Sequence, residues 1–203
     1  MAIPFISVGF LNLRDERGAC AITAYVGRNI VQARSGKRYD FRRFRGDLVH
    51  EEVIMPRGIG AQPPSPPQLA RMIDAAETTR STKRNPARRR QLLLIIVAAL
   101  PPDTECSLDE AIEFCHAIVD RVVVDQALVA HVAIHDPAAK PGGSRSRNRH
   151  AHIHIALRAW TPESGLSRRK VRDLVARVRR YGGSKGKFNE VAEGISWQSH
   201  FYI

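Results

Sequence analysis

The sequence predicts an α+β fold, a two-layer sandwich in which helices cover one or both faces of a mostly antiparallel sheet of about five strands. Three observations lead to this prediction. Two neighbouring segments, 129–135 and 150–157, alternate between two sets of residues, one apolar and the other rich in histidine, as half-buried strands do. An apolar run over 91–100 is short and stops at prolines, which favours a central buried strand over a helix. The segments between these strands carry apolar residues at helical spacing.

The N-terminal part is predicted to contain a strand, a helix and a second, shorter strand. Apolar β-forming residues predict the first strand over Ile3–Leu13. Alanines mixed with larger apolar residues at helical spacing predict the first helix over Ala19–Gln32. His50–Pro56 has the composition of a short strand, and the proline-rich segment Gly58–Pro67 is a connector.

The rest of the chain contributes three helices around the buried strands. Gln68–Arg80 has a single apolar face, and Glu77 lies one turn beyond Ile73 of that face. The capping box Ser107–Glu110 begins an amphipathic helix. Ser167–Tyr181 is predicted to be an arginine-rich helix whose outer face suits a nucleic-acid backbone or plain solvation. The tail, 182–203, has no assignable structure.

Five of the eight histidines fall on the two alternating strands. If these strands pair antiparallel around the loop 136–149, His135 lies opposite His150 and His131 lies opposite His154. The apolar residues then share one face, which packs, and the imidazoles share the other, which is left free for chemistry. Alternate residues on a strand stand roughly 6.6 Å apart, so neighbouring histidines can share an ion whereas His150 and His154, at roughly 13 Å, cannot.

The spacing therefore predicts a metal site formed by His135, His150 and His152. Three neutral imidazoles with open coordination positions suit a catalytic divalent ion, because closed structural sites usually have four protein ligands. The alternative is that these are ordinary half-buried polar residues. His131 and His154 fit the triad less well, and are either supports or substrate contacts or simple surface residues.

Composition points to a nucleic-acid partner. The 203 residues carry a net charge of +12, mainly through arginine, which prefers phosphate and planar bidentate partners. The length fits a single domain over 1–203 with its own core. Three cysteines without CxxC spacing, Cys20, Cys106 and Cys115, are expected to be reduced thiols with no catalytic role. Because no apolar stretch is long enough to span a bilayer and no signal-peptide pattern is present, we expect a soluble cytoplasmic protein without a membrane partner.

Tyr25 is the candidate nucleophile. A basic protein with a three-histidine ion site has the parts for cutting a phosphodiester, in which the ion polarises the phosphate and a tyrosine oxygen attacks phosphorus. A phenol needs a nearby cation, metal or base to react as phenolate near neutral pH. Arg28, one helical turn away, or the carboxylate of Glu77 is expected to supply that influence. Without this context, a single helical tyrosine is an ordinary core or surface aromatic.

The order of these motifs resembles the MobA/MobL family of plasmid mobilisation relaxases, within the class of HUH endonucleases, and the resemblance spans Ile3 to about Arg158. Ala19–Tyr25 resembles the family's tyrosine segment and Tyr39–Phe41 its Tyr-Asp-aromatic motif. Asp74–Glu77 resembles its glutamate helix and Ala99–Pro101 its Ala-Leu-Pro strand end. Ala133–His135 and His150–Ile153 match the segments that hold its metal histidines.

The resemblance implies a nicking enzyme with the sandwich architecture of HUH proteins. Such relaxases use Mg²⁺ or Mn²⁺ to cut one strand at an origin of transfer, leaving a free 3′-hydroxyl and a 5′-phosphate bonded to tyrosine, and can rejoin the strand. On this basis Tyr25 is the nucleophile, the three histidines hold the ion and Glu77 is a base or a support. Single-stranded DNA at the origin is the expected partner, with possible accessory mobilisation proteins and a type IV secretion coupling protein.

Candidate DNA contacts come from two basic segments and from the end of the first helix. The segment 35–46 interleaves aromatic and basic residues, which suits base stacking with phosphate neutralisation, although its aromatics could equally anchor a solvated loop. The loop 136–149 is basic and rich in small residues. The expected contacts are Arg28, Tyr39, Arg42, Arg43, Arg145 and Arg147.

Two other classes of function remain open at the level of sequence. A related HUH enzyme for rolling-circle replication or transposition would share the tyrosine chemistry and differ in its DNA target. A non-catalytic basic module with structural Zn²⁺ would bind DNA without becoming attached to it, and a chelator would unfold it.

Overall fold

A computed structural model describes residues 6–13, 18–78, 90–123, 126–142 and 148–171 of the chain. The tail 182–203, most of the predicted helix 167–181 and the loop residues Arg145 and Arg147 lie outside these ranges. The elements in chain order are β1 (Ile6–Leu13), α1 (Ala19–Val26), β2 (Ile30–Gln32), β3 (Arg38–Asp40), β4 (Leu48–Ile54), α2 (Pro66–Thr78), β5 (Arg90–Ala99), α3 (Leu108–Val123), β6 (Leu128–His135), β7 (His150–Thr161) and β8 (Gly165–Lys170).

The predicted sheet is confirmed, with the histidine strands at its centre. Its main path is β1-β5-β7-β6-β4, every neighbouring pair is antiparallel, and β8 adds a sixth strand beside β7. The apolar run that we expected to be a central strand is β5, which pairs with β1 and β7. The register of β6 with β7 is also as predicted: His135 is opposite His150 and His131 is opposite His154.

Helices lie on both faces of the sheet. The apolar face of β5, β6 and β7 packs against α3 in a core that includes Phe114, Ile118 and Ile153. A second core joins α1 and α2 to the opposite face, the one that carries the histidines, through Ala24, Leu69 and other residues. Helices therefore lie on both faces, as the fold prediction allowed, and the imidazole face is only partly free for chemistry because α1 and α2 cover part of it.

The two largest differences from the predicted helices lie at the end of the first helix and at the C-terminal side. The first helix was expected to reach Gln32 but ends at Val26, because Gly27 terminates it and Arg28 adopts a left-handed backbone with φ of 49°. Residues 30–32 form the short strand β2, which pairs with β3.

The second difference is at the C-terminal side. Residues 167–170 belong to β8, which pairs with the outer end of β7, and do not begin a helix. Arginine-rich sequence with scattered valines fits either element, and the edge of β7 decides in favour of the strand.

The capping box is present as expected. The Ser107 backbone N–H donates to the Glu110 carboxylate at 2.7 Å, and the Glu110 N–H donates to the Ser107 hydroxyl at 3.2 Å. The three cysteines are buried free thiols. Burial raises the pKa of Cys20 and of Cys115 to about 12, which keeps both thiols protonated.

Candidate metal centre and nucleophile

Three histidines meet where β6 ends and β7 begins. One ligand atom from each of His135, His150 and His152 lies within 4.8 Å of those of the other two. Their ring centroids are 5.0–5.2 Å apart. The sheet itself produces this grouping, because His135 pairs with His150 across the strands and His152 follows on the same face of β7.

Hydrogen bonds to backbone carbonyls orient two of the rings. His135 Nε2 lies 2.7 Å from the carbonyl oxygen of Val26, and His150 Nδ1 lies 2.9 Å from that of Asn148. A carbonyl only accepts, so each of these nitrogens carries the proton, which leaves the lone pairs on His135 Nδ1 and His150 Nε2. Metal-binding histidines characteristically donate their other N–H to a carbonyl or carboxylate in this way.

The charge state of the cluster also fits a cation. Burial lowers the pKa of His135 to about 4, although its hydrogen bond to the Val26 carbonyl acts in the opposite direction. Burial and the neighbouring histidines lower the pKa of His152 to about 3, and its Nε2 atom is buried without a hydrogen-bond partner among the described residues. Neutral imidazoles and an unused buried nitrogen are what a divalent ion requires, so the residues present fit a metal.

Tyr25 lies beside this cluster in the last turn of α1. Its side chain is exposed to solvent at 41% of its full accessibility, which is unusual for a large hydrophobic residue in the described part of the chain. Its ring centroid is 6.4 Å from that of His152 and 5.5 Å from that of Phe41, both in edge-on orientation. The ring therefore lies next to the histidines, and its exposure leaves the phenol accessible to a substrate.

Arg28 is buried between the nucleophile and the metal ligands. Its guanidinium binds Asp47 through two hydrogen bonds of 2.9 and 3.1 Å, and only 7% of the Arg28 side chain is exposed. It also donates to the Tyr25 carbonyl at 2.8 Å, lies 4.7 Å from the Tyr25 ring centroid and approaches His135 Nδ1 at 3.3 Å. The predicted proximity of Arg28 and Tyr25 is confirmed. Because its charge is paired inside the protein, Arg28 is poorly placed for a direct phosphate contact.

Asp47 is a site residue that the sequence did not reveal. Although burial raises its pKa, hydrogen bonds from Arg28 and the positive charge of that side chain outweigh the effect and keep the pKa of Asp47 below its ordinary value. Its backbone carbonyl also accepts from Asp136, directly after β6. The only signal in the sequence is an acidic residue at the end of a basic segment, and nothing there pairs it with Arg28.

Asp74 holds the other end of the nucleophile's helix. Its two carboxylate oxygens accept from the backbone N–H groups of Ala19 and Cys20 at 2.7 and 3.0 Å. The residue at the start of α1, Gly18, supplies no side-chain cap of its own, and a Cβ atom there would collide with the Asp74 carboxylate. Asp74 of α2 therefore caps α1 from a neighbouring helix.

Glu77 does not lie beside Tyr25, and the expectation that it acts there is corrected. Its carboxylate pairs with Arg158 and, at 3.1 Å, with Lys170. Arg158 follows His152 by six residues on β7, which is roughly 20 Å along an extended strand. The side chains of Glu77 and Arg158 are 6% and 4% exposed, so this is a buried ion pair at the far end of the sheet. Its position supports a structural role.

His131 and His154 form a buried layer next to the triad. Each is 2% exposed, so they are neither surface residues nor direct substrate contacts. His131 Nε2 donates to Glu51 at 3.0 Å, and the His154 ring lies 5.9 Å from His131 and 6.0 Å from His152 between centroids. Burial lowers the pKa of His154 well below its ordinary value, so the ring is neutral. Among the described residues, neither ring nitrogen of His154 has a hydrogen-bond partner, so this ring meets its neighbours through packing.

The remaining candidate DNA contacts differ in their surroundings. Arg42 is exposed and is held by Asp40 through bonds of 3.1 and 3.0 Å. Arg43 is exposed and stacks on Phe44, with 4.6 Å from its guanidinium carbon to the ring centroid. Tyr39 is half-buried in β3, and its ring centroid lies 5.7 Å from Lys37 Nζ. Arg145 and Arg147 lie outside the described residues.

Among the described helices, none has both the length and the apolar character needed to cross a bilayer.

Comparisons with known proteins give two findings. Residues 17–200 match the model of the MobA/MobL family. A solved structure described as the molecular basis of vancomycin resistance transfer in Staphylococcus aureus has 17% sequence identity and a TM-score of 0.66, over 93% of this chain and 86% of that one. No curated protein matches. At this identity the structural likeness shows the shared fold.

Proposed function

The chain belongs to the MobA/MobL family of plasmid mobilisation relaxases, and from that premise we propose that it nicks one DNA strand at a plasmid origin of transfer through Tyr25. The observation that carries the proposal is the position of an exposed tyrosine ring, whose centroid is 6.4 Å from that of His152, one of three grouped histidines. A basic protein with this arrangement suits a phosphodiester substrate.

In the proposal, His135, His150 and His152 hold Mg²⁺ or Mn²⁺. When bound, the ion would polarise the scissile phosphate and offset the charge that develops on it. Two of the three rings, those of His135 and His150, are oriented by hydrogen bonds to backbone carbonyls, so these ligands are arranged before an ion arrives. This agrees with an open catalytic site, since three protein ligands leave positions for substrate.

Tyr25 supplies the nucleophile. Its phenol oxygen forms a bond to phosphorus as the bond from phosphorus to the 3′ oxygen breaks; the phenol loses its proton and the leaving 3′ oxygen gains one. The products are a 5′-phosphotyrosine link and a free 3′-hydroxyl, and the same exchange in reverse rejoins the strand. The Arg28 guanidinium over the ring favours the negative charge that the oxygen carries as it attacks.

Single-stranded DNA would approach from the side where Tyr25 is exposed. Arg42, Arg43, Arg145 and Arg147 are the proposed phosphate contacts, and Tyr39 is a proposed aromatic contact. Such binding should weaken as salt rises, because phosphate neutralisation releases counterions. An origin of transfer as target implies action in the cytoplasm, with accessory mobilisation proteins and a type IV secretion coupling protein as possible partners.

The test uses single-stranded oligonucleotides tiled across the plasmid or element that carries the gene. Wild type, Tyr25→Phe and His152→Ala are incubated with Mn²⁺ and resolved on a denaturing gel. We expect only wild type to give a cut fragment together with a protein band shifted by covalent DNA. If all three proteins bind DNA equally and none forms an adduct, the nuclease proposal fails and a basic binding module replaces it. If the adduct forms on a replication origin or a transposon end, the related HUH functions replace mobilisation.

A further inference from the structure

The end of α1 is held by side chains of the metal site itself. The last four carbonyl groups of a helix have no partner within it. Here the carbonyl oxygens of Thr23 and Ala24 accept hydrogen bonds from the backbone N–H groups of Gly27 and Asn29, at 2.8 and 3.2 Å respectively. The Tyr25 carbonyl accepts from Arg28 Nη1, and the Val26 carbonyl accepts from His135. The nucleophile's own peptide group is therefore bonded to Arg28, and the next one to a predicted metal ligand.

Arg28 occupies this position at some conformational cost. Its backbone lies in the left-handed region, which glycine and asparagine normally fill. The side chain turns back toward the sheet, where Asp47 holds it through both carboxylate oxygens and leaves 7% of it exposed. A bidentate pair fixes the plane of the guanidinium, so the directions of all its N–H groups are fixed as well.

Nη2, which already donates to Asp47, also faces the atom that an ion would use. His135 has its proton on Nε2, because that atom donates to Val26, and its single lone pair is therefore on Nδ1. Arg28 Nη2 lies 3.3 Å from this Nδ1. One lone pair cannot serve a hydrogen-bond donor and a metal ion at the same time.

We propose that Arg28, oriented by Asp47, is a positioning residue that ties the nucleophile's helix to the metal centre and competes with the ion for His135. When an ion takes Nδ1, the Nη2 contact to the ring is released, while Asp47 and the Tyr25 carbonyl keep the guanidinium in place. Arg28 thus costs the site metal affinity and secures the position of Tyr25. The inference rests on the proposed tyrosine and histidine roles.

The consequence is a pair of changes of opposite sign. Loss of Arg28 should strengthen metal binding, by on the order of tenfold for one charge-assisted hydrogen bond, and should slow adduct formation by at least as much. A residue that only stabilised the fold would weaken both. Arg28→Lys separates the effect of the contacts from that of the charge. Lysine keeps the charge, but its single nitrogen cannot occupy the positions of the three guanidinium nitrogens that contact Asp47, Tyr25 and His135.

The experiment measures Mn²⁺ affinity directly, from the paramagnetic resonance signal of free Mn²⁺, in the full chain without DNA. The variants are Arg28→Lys, Arg28→Gln, His152→Ala and Arg57→Gln. Arg57 is a matched control, because it is an exposed arginine that pairs with Asp120 and its loss changes the net charge equally. Thermal melting establishes which variants are folded, and Arg28→Lys, which can retain an ion pair with Asp47, carries the test if Arg28→Gln is unfolded.

We expect both Arg28 variants to bind Mn²⁺ more tightly than wild type, Arg57→Gln to bind as wild type does, and both Arg28 variants to form the DNA adduct more slowly at saturating Mn²⁺. Unchanged or weaker Mn²⁺ binding by Arg28→Lys would overturn the inference, since charge alone would then explain any gain in Arg28→Gln. Failure of the metal centre itself gives a different result, in which His152→Ala binds Mn²⁺ as tightly as wild type.

Discussion

Replacement of Asp74 by alanine should loosen the helix that carries the nucleophile. Asp74 accepts two backbone hydrogen bonds, of 2.7 and 3.0 Å, at the positive end of α1. A helix cap contributes roughly 0.5–2 kcal/mol, and a charged acceptor belongs at the upper end, so we expect a loss of about 2 kcal/mol. For a chain of this size that corresponds to a fall of about 4–8 °C in Tm.

The assay is thermal denaturation, followed by hydrogen exchange of the α1 amides. Asp74→Asn keeps one acceptor oxygen and should lose about half as much stability, by the same cap energetics. Asp109→Ala is the matched control, because Asp109 is an exposed acid in the first turn of α3. Faster exchange should be confined to residues 19–26. The reasoning is refuted if Asp74→Ala lowers Tm no more than Asp109→Ala, or if exchange in α1 does not change.

Three further outcomes follow from the structure. The lowered pKa values of His135, about 4, and His152, about 3, mean that the unfolded chain binds protons that the folded chain does not as pH falls below roughly 6.5. Without added metal, the urea midpoint should therefore fall between pH 6.5 and 4, and a midpoint that stays flat over this window would contradict the buried neutral rings. Glu77→Ala should cost about 3–5 kcal/mol in urea denaturation, because it leaves the Arg158 guanidinium buried without its carboxylate; a loss no larger than that of the exposed Glu113→Ala control would show the pair to be dispensable. Gly27→Ala should lower the urea midpoint slightly, since its Cβ would displace the Glu51 carboxylate and weaken its hydrogen bond to His131; a wild-type midpoint in this variant would refute the close approach.

The sequence was sufficient for the centre of the fold because its signals there are local and consistent. Alternation in β6 and β7 predicts both the face and the register, since a slip of one residue would turn the apolar residues of β7 away from α3. The prolines after β5 and the capping box before α3 mark boundaries chemically. The metal triad follows from the same register.

The parts that the sequence did not predict depend on contacts between distant residues. Arg28 and Asp47 are nineteen positions apart, and Glu77 and Arg158 are eighty-one apart. Within the segment 74–77, the carboxylate that contacts the nucleophile's helix is that of Asp74, whereas the resemblance to the family predicted that Glu77 would act there. The predicted end of α1 was wrong because the helical spacing of Ile22, Val26 and Ile30 continues past Gly27, whereas the backbone turns at Arg28.

The most direct test of the central claim is to locate the DNA-linked residue by mass spectrometry. Wild-type protein is incubated with the cleaved oligonucleotide and Mn²⁺, and then digested with trypsin and nuclease. The peptide 18–28 contains Tyr25 and, of the four tyrosines in the chain, no other. The account predicts that this peptide carries the 5′-phosphonucleotide on Tyr25. Nucleotide on Tyr39 or on any other residue, with peptide 18–28 unmodified, would contradict it.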